Sequence, residues 1–313
     1  MPKPNCASLP KGVWVLLIVL AGCATPPYAI RPTPLPEESA EALQIERAIS
    51  AMQARDFQRQ RARPLGGEEV VWGLPVQRVL TRLAQVTERP HLPYQAYVYQ
   101  DRDPNAAALA DGRVYVSSSM LNYLASRGSR EDELAGILAH ELAHTTAQHL
   151  VKRYRYLQQQ SLLLTVVAAG AAAVTGDAGT SVREAGRLVV DAASLLADVA
   201  NSGYSQEQEL EADQLGIRYV IRAGYRPQAV LDVLEDFARF DVPWPFLRTH
   251  PYVTERCTQL AQYLRDIGAD SAGADHDSAE RRVRELREAQ KLYPRDSVSW
   301  RNLQRQIEAL EKK

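Results

Sequence analysis

The residues whose spacing carries the most chemistry are His140, Glu141 and His144, in the run His140-Glu141-Leu142-Ala143-His144. Leu134, Ile137 and Leu138 precede them at helical spacing. On a helix, residues four apart stack on one face, so both imidazoles can reach one metal ion. Glu141 sits about 100° around the axis from His140, near enough to act on water at the metal without being a ligand. This division of labour points to metal-assisted hydrolysis of a peptide bond, with zinc as the cofactor, one ion per chain.

A catalytic zinc keeps three protein ligands and one open position, so a third ligand must come from elsewhere. Glu209 is the best candidate, in Glu207-Gln208-Glu209-Leu210-Glu211-Ala212-Asp213, where Ser205 and Gln208 form a capping-box start to a second helix. Glu209 and Asp213 are again four apart. One can ligate while the other, Asp213, orients a ligand imidazole from behind. An exposed acidic face is the ordinary reading of such a run, and the upstream histidines decide against it. His149 follows His140 by nine residues, which on a continuous helix places it about 180° away. It is therefore expected to be a buried, hydrogen-bonded histidine and no ligand.

The elements that must position these groups are mainly helical. Ala42, Ile45, Ile49 and Met52 mark a first helix, and Val76, Val79, Leu80 and Leu83 mark a second over Pro75 to Thr87. The period then shifts towards two. Tyr94 to Tyr99 reads as a strand, and 105–110 with 113–117 as a hairpin joined by a tight two-residue Asp111-Gly112 turn. Helices are expected from Glu131 to about Gln160, near 205–223 and at about 253–266, with Pro243, Pro245 and Pro251 breaking the chain before the last. The apolar stretch 162–174 is short for a membrane span and pairs with 182–200 as a helical hairpin. The fold class is mainly α (α+β), with the histidine helix beside a small hairpin or sheet.

The chain has 313 residues, 45% hydrophobic and 24% charged, with a formal net charge of -1, which gives no reason to expect nucleic acid as a partner. Lys3 and Lys11 precede the apolar run 13–20, which ends in small residues, as in a secretory signal. Leu20-Ala21-Gly22-Cys23 resembles a bacterial lipobox, which implies a lipid on Cys23, and Ala24 implies export to the outer membrane. Of three cysteines, Cys257 is then left without an intramolecular partner. The expected organisation is a signal over 1–22, a Pro-rich tether over 23–37, a peptidase domain over 38–266 and a charged helical hairpin over 267–313.

The zinc-ligand pattern followed by Glu-x-Glu-Ala-Asp resembles the metallopeptidase family of HtpX and the CAAX prenyl endopeptidases, in its outer-membrane periplasmic branch, over roughly residues 70–265. The resemblance implies a zincin-like domain, with Glu209 as zinc ligand and Asp213 behind it. The run 105–116 is similar to the family's hairpin beside the active site, departing at Ala107, where the family has an aromatic residue, and at Ala110-Asp111 in place of Pro-Gly. His250-Pro251, with Arg256 following, also matches a family pattern. His250 is expected to approach the zinc, either as an oxyanion donor or as a fourth ligand at rest.

The expected function is endopeptidase cleavage of unfolded or misassembled outer-membrane proteins at the periplasmic face, with substrate pairing along the edge of the 105–117 hairpin. The alternative is a chaperone-like assembly factor with little proteolysis.

Overall fold

The computed structural model describes residues 36–126, 131–175, 192–201, 203–239 and 245–269, together with isolated positions from 283 to 308. The signal, Cys23, almost all of the tether, residues 182–191 of the expected hairpin and His276 lie outside the described residues.

Helix α1 (Ala40–Arg59) starts at Ser39, whose hydroxyl accepts from the Ala42 amide. It buries Ala42, Ile45, Ile49 and Ala54, with Glu46 on the same face; Met52 is half-buried. A short strand β1 (Arg63–Pro64) leads to α2 (Val76–Ala84), which places Val76, Val79, Leu80 and Leu83 in the main core, as their spacing requires. Strands β2 (Gln95–Tyr99), β3 (Ala106–Ala108) and β4 (Arg113–Ser117) complete a four-stranded sheet in the order β1-β2-β4-β3. β2 and β4 are parallel, and β3 returns antiparallel on β4 as an edge.

The β3–β4 turn differs from the expected one. A two-residue turn of that kind needs positive φ at both central residues, and here only Gly112 has it, at 93°. Ala110 and Asp111 are the central pair, closed by Gly112 N–H to Leu109 O at 3.1 Å, and Gly112 takes the left-handed position after the turn. Asp111 instead accepts from the guanidinium of Arg113.

Helix α3 (Ser118–Ser126) precedes α4 (Glu131–Thr146), which carries the histidine motif and is buried at every position from Glu133 to Thr146. α4 does not run on to Gln160. It stops at Thr146, and α5 (His149–Thr175) begins after a break at Gln148, whose φ is 55°. A positive φ costs a non-glycine residue about 1–2 kcal/mol. The Gln148 amide offsets that by bonding both backbone groups of Glu37 and Oε1 of Glu46. Glu46 in turn receives the fully buried Arg89 guanidinium on both oxygens, at 2.8 and 3.0 Å. Arg89 also reaches Thr145 O, next to His144. One hydrogen-bonded cluster therefore ties α1 to the end of the histidine helix.

α5 continues through the apolar stretch, and α6 (Ala192–Asn201) packs on it and on α1. Among the described residues no helix is long and apolar enough to cross a membrane. α7 (Gln206–Arg222) opens with the predicted capping box between Ser205 and Gln208. α8 (Gln228–Ala238) has no counterpart in the sequence reading, although Val230, Val233, Leu234 and Phe237 carry helical spacing. A single turn α9 (Pro245–Thr249) and α10 (Val253–Asp266) follow.

α4 packs most extensively against α7, and small residues set the approach. A Cβ on Gly216 of α7 would lie 3.2 Å from the His140 backbone nitrogen, and one on Gly136 of α4 would lie 3.2 Å from Val230 Cα of α8. Both neighbours are backbone, so neither can swing aside. Gly216→Ala is expected to destabilise the chain by about 1–3 kcal/mol through overpacking, measured by urea unfolding. Unchanged stability would show that the two helices have room to part.

Candidate metal centre

The α4–α7 contact brings the sequence-predicted residues to one point. Among the described residues, the donor atoms of His140, His144, Glu209 and His250 all lie within 4.8 Å of one another, and all four residues are buried. His140 Nε2 is 3.1 Å from His144 Nε2 and 3.5 Å from Glu209 Oε2. His144 Nε2 is 3.5 Å from Glu209 Oε1. His250, delivered by the α9 turn, lies with Nδ1 3.2 Å from His140 Nε2 and 3.1 Å from Glu209 Oε1. A tetrahedral ion with bonds of about 2.0–2.1 Å needs donors about 3.3–3.4 Å apart. These spacings fit such an ion, and the imidazole and carboxylate donors suit zinc chemistry.

Glu141 points from α4 to the sheet. Its Oε2 accepts from the Ala108 amide of β3 at 2.8 Å, and its Oε1 lies 3.3 Å from His250 Nε2. Burial raises its pKa. The free edge of β3 is not open in this arrangement: Ala106 and Ala108 are buried, and the amide of Ala108 serves Glu141.

Behind the donors, Asp213 Oδ1 holds His140 Nδ1 at 2.9 Å. Arg256 of α10, six residues after His250, joins both acids of α7. Its Nε and Nη2 reach Asp213 at 2.8 and 2.7 Å, and its Nη1 lies 2.5 Å from Glu209. Burial pushes the Glu209 and Asp213 pKa values up, and the Arg256 charge more than reverses this, so both stay ionised. His140 is subject to the opposite balance. Burial and Arg256 push its pKa down, while hydrogen bonds to Asp213 and Glu209 outweigh them and lift it to about 9.

His149 is buried and is not among the four donors, as expected, but not for the expected reason. The break at Gln148 removes the continuous helix on which its direction was reckoned, and it bonds directly to His144 Nδ1 at 2.8 Å. Burial lowers the pKa values of His144 and His149. Tyr204, for which the sequence holds no spacing signal, stacks on the His144 ring at 3.7 Å. His91 Nε2 pairs with Glu38 at 2.8 Å on the surface.

A histidine helix with its glutamate beside a small mixed sheet, and a second helix supplying a carboxylate, define a zincin-like metalloprotease domain. Residues 74–264, more than half of the chain, match Peptidase family M48, and the chain belongs to that family. Its relatives include the beta-barrel assembly-enhancing protease of Escherichia coli strain K12, 30% identical over 179 residues, covering 56% of this chain and 35% of the relative. The putative beta-barrel assembly-enhancing protease of Vibrio cholerae is 28% identical over 177 residues, covering 55% and 35%. The mitochondrial metalloendopeptidase OMA1 of Schizosaccharomyces pombe is 27% identical over 195 residues, covering 61% and 52%. The match thus spans only about a third of the bacterial relatives' length.

Two measurements follow from the geometry. Asp213→Ala should weaken metal binding by about 10–100-fold in chelator competition, because His140 loses the group that orients it. Metal uptake at pH 7 should release a proton, since the His140 pKa of about 9 keeps a proton on the site below that pH. Calorimetry in buffers of different ionisation heat detects it, and buffer-independent heats would contradict it.

Proposed function

We propose that this chain is a zinc-dependent endopeptidase that cuts unfolded or misassembled proteins of the bacterial envelope. The observation that carries the reading is the convergence of His140, His144 and Glu209 at ligand spacing, with Glu141 beside them. Zinc held by those three residues supplies Lewis-acid polarisation of the scissile carbonyl and acidifies water. Glu141 takes the proton of the attacking water and passes it to the leaving amine, a transfer favoured by its raised pKa. Asp213 holds the His140 ring, and Arg256 holds both Asp213 and Glu209.

His250 acts as the fourth ligand of a resting site. Its Nδ1 lies at ligand spacing from His140 and Glu209, which favours this role over oxyanion donation. With four protein donors in reach of one ion, no position would be left for water, so cleavage would require His250 to withdraw. The same closure supports a second reading, an assembly factor that holds outer-membrane proteins and seldom cuts them.

The names of the bacterial relatives, with beta-barrel assembly in them, support the envelope as the compartment. The lipobox-like Leu20-Ala21-Gly22-Cys23 supports a lipid anchor at Cys23 on the periplasmic face of the outer membrane. The partners are then protein substrates and the membrane.

Glu141→Gln is expected to keep its zinc and lose casein cleavage by at least about 100-fold. Retained cleavage would remove the mechanism, and rescue of a deletion strain by this variant would favour the assembly-factor reading. His250→Ala should keep its zinc and cleave casein faster. A fall in cleavage would return His250 to the oxyanion role.

A further inference from the structure

His149 stands outside the four donors and has no part in the reaction above, yet it is fully buried beside them. Its Nδ1 is 2.8 Å from His144 Nδ1, and its Nε2 is 3.0 Å from Oε2 of Glu211 on α7. Two ring nitrogens at that distance form a hydrogen bond only if one carries a proton and the other does not. Glu211 decides which. Its side chain is 20% exposed and has Lys152 Nζ at 3.7 Å, so it is a carboxylate and can only accept. His149 must therefore donate through Nε2, and a neutral ring with its proton there has a bare Nδ1. That bare nitrogen accepts from Nδ1–H of His144. His144 is left with no proton on Nε2, the atom that faces His140 and Glu209. The reverse order sets a His149 lone pair against the carboxylate and turns a His144 proton into the donor group. Tyr204, stacked 3.7 Å from the His144 ring at 22°, fixes the plane in which this chain of bonds lies.

We propose that His149 and Glu211 are positioning residues that lock His144 in its Nδ1–H form and aim its Nε2 lone pair at the metal. The pairing does for His144 what Asp213 does for His140, with an imidazole inserted between the carboxylate and the ligand. The inference rests on the metal-site reading above.

The direct test is long-range proton–nitrogen NMR of the full-length, histidine-labelled chain after chelator treatment. His144 is expected as a single Nδ1–H form in the wild type and as a mixture in His149→Phe. Zinc titration against a chelator should show His149→Phe weakened by about 10–100-fold. His149→Gln, whose side-chain carbonyl can accept the same proton, should recover most of the loss, which a purely packing role would not predict. Glu211→Ala sits at the surface of α7 and should shift the form of His144 in the same direction even if His149→Phe fails to fold. An Nε2–H form of His144 in the wild type, or folded variants with wild-type zinc affinity, would overturn the inference and leave the peptidase reading intact. A wild-type chain that binds no zinc overturns both.

Discussion

Three carboxylates, three imidazoles and a guanidinium share a buried pocket, and everything near it is arranged to make that tolerable. An isolated buried charge costs several kcal/mol, so Glu209, Asp213 and Arg256 are each acceptable only in the presence of the others. Arg256 is the hinge of the balance: it joins two acids one turn apart on α7 and arrives from a different helix. Because α10 supplies the cation, the residue after α9 the His250 side chain, α7 two of the acids and α4 the remaining histidines, the pocket forms only when all of these elements have docked. Chemistry and tertiary structure are thus the same set of contacts seen from two sides.

The glycines at the helix contacts serve this pocket. Gly216 lets α7 approach the His140 backbone closely enough for Glu209 and His140 to share one centre, and Gly136 does the same for α8 on the other flank. A helix buried all round has no polar face to fix its rotation. Close backbone contact and the two buried acid pairs supply that rotation instead, and the imidazoles of α4 consequently point where the acids of α7 can meet them.

Much of this was legible from residue spacing. That His140 and His144 share one face, as do Glu209 and Asp213, follows from an interval of four on each of two helices, because helical geometry converts such an interval directly into direction. The capping box at Ser205 and Gln208 placed the start of α7 correctly for the same reason. Arg256 and Tyr204 were not legible in this way, since their roles come from long-range packing that no local interval encodes. The break at Gln148 was hidden because its cause is remote: the residue adopts a left-handed conformation to satisfy Glu37 and Glu46, more than 100 positions away. That break is why a correct expectation for His149 rested on an incorrect helix. The turn at Gly112 was misassigned by one position, because Asp-Gly fits both a two-residue turn and a longer one.

The clamp between Glu46, Arg89 and Gln148 shows that the inherited unit and the folding unit have different edges. The family match begins at residue 74, yet the acid that neutralises Arg89 sits at position 46, on a helix the match leaves out. A fragment cut to the family boundary would expose α4's last turn to an unmatched guanidinium and unpin Gln148, so the first helix belongs with the catalytic body it precedes.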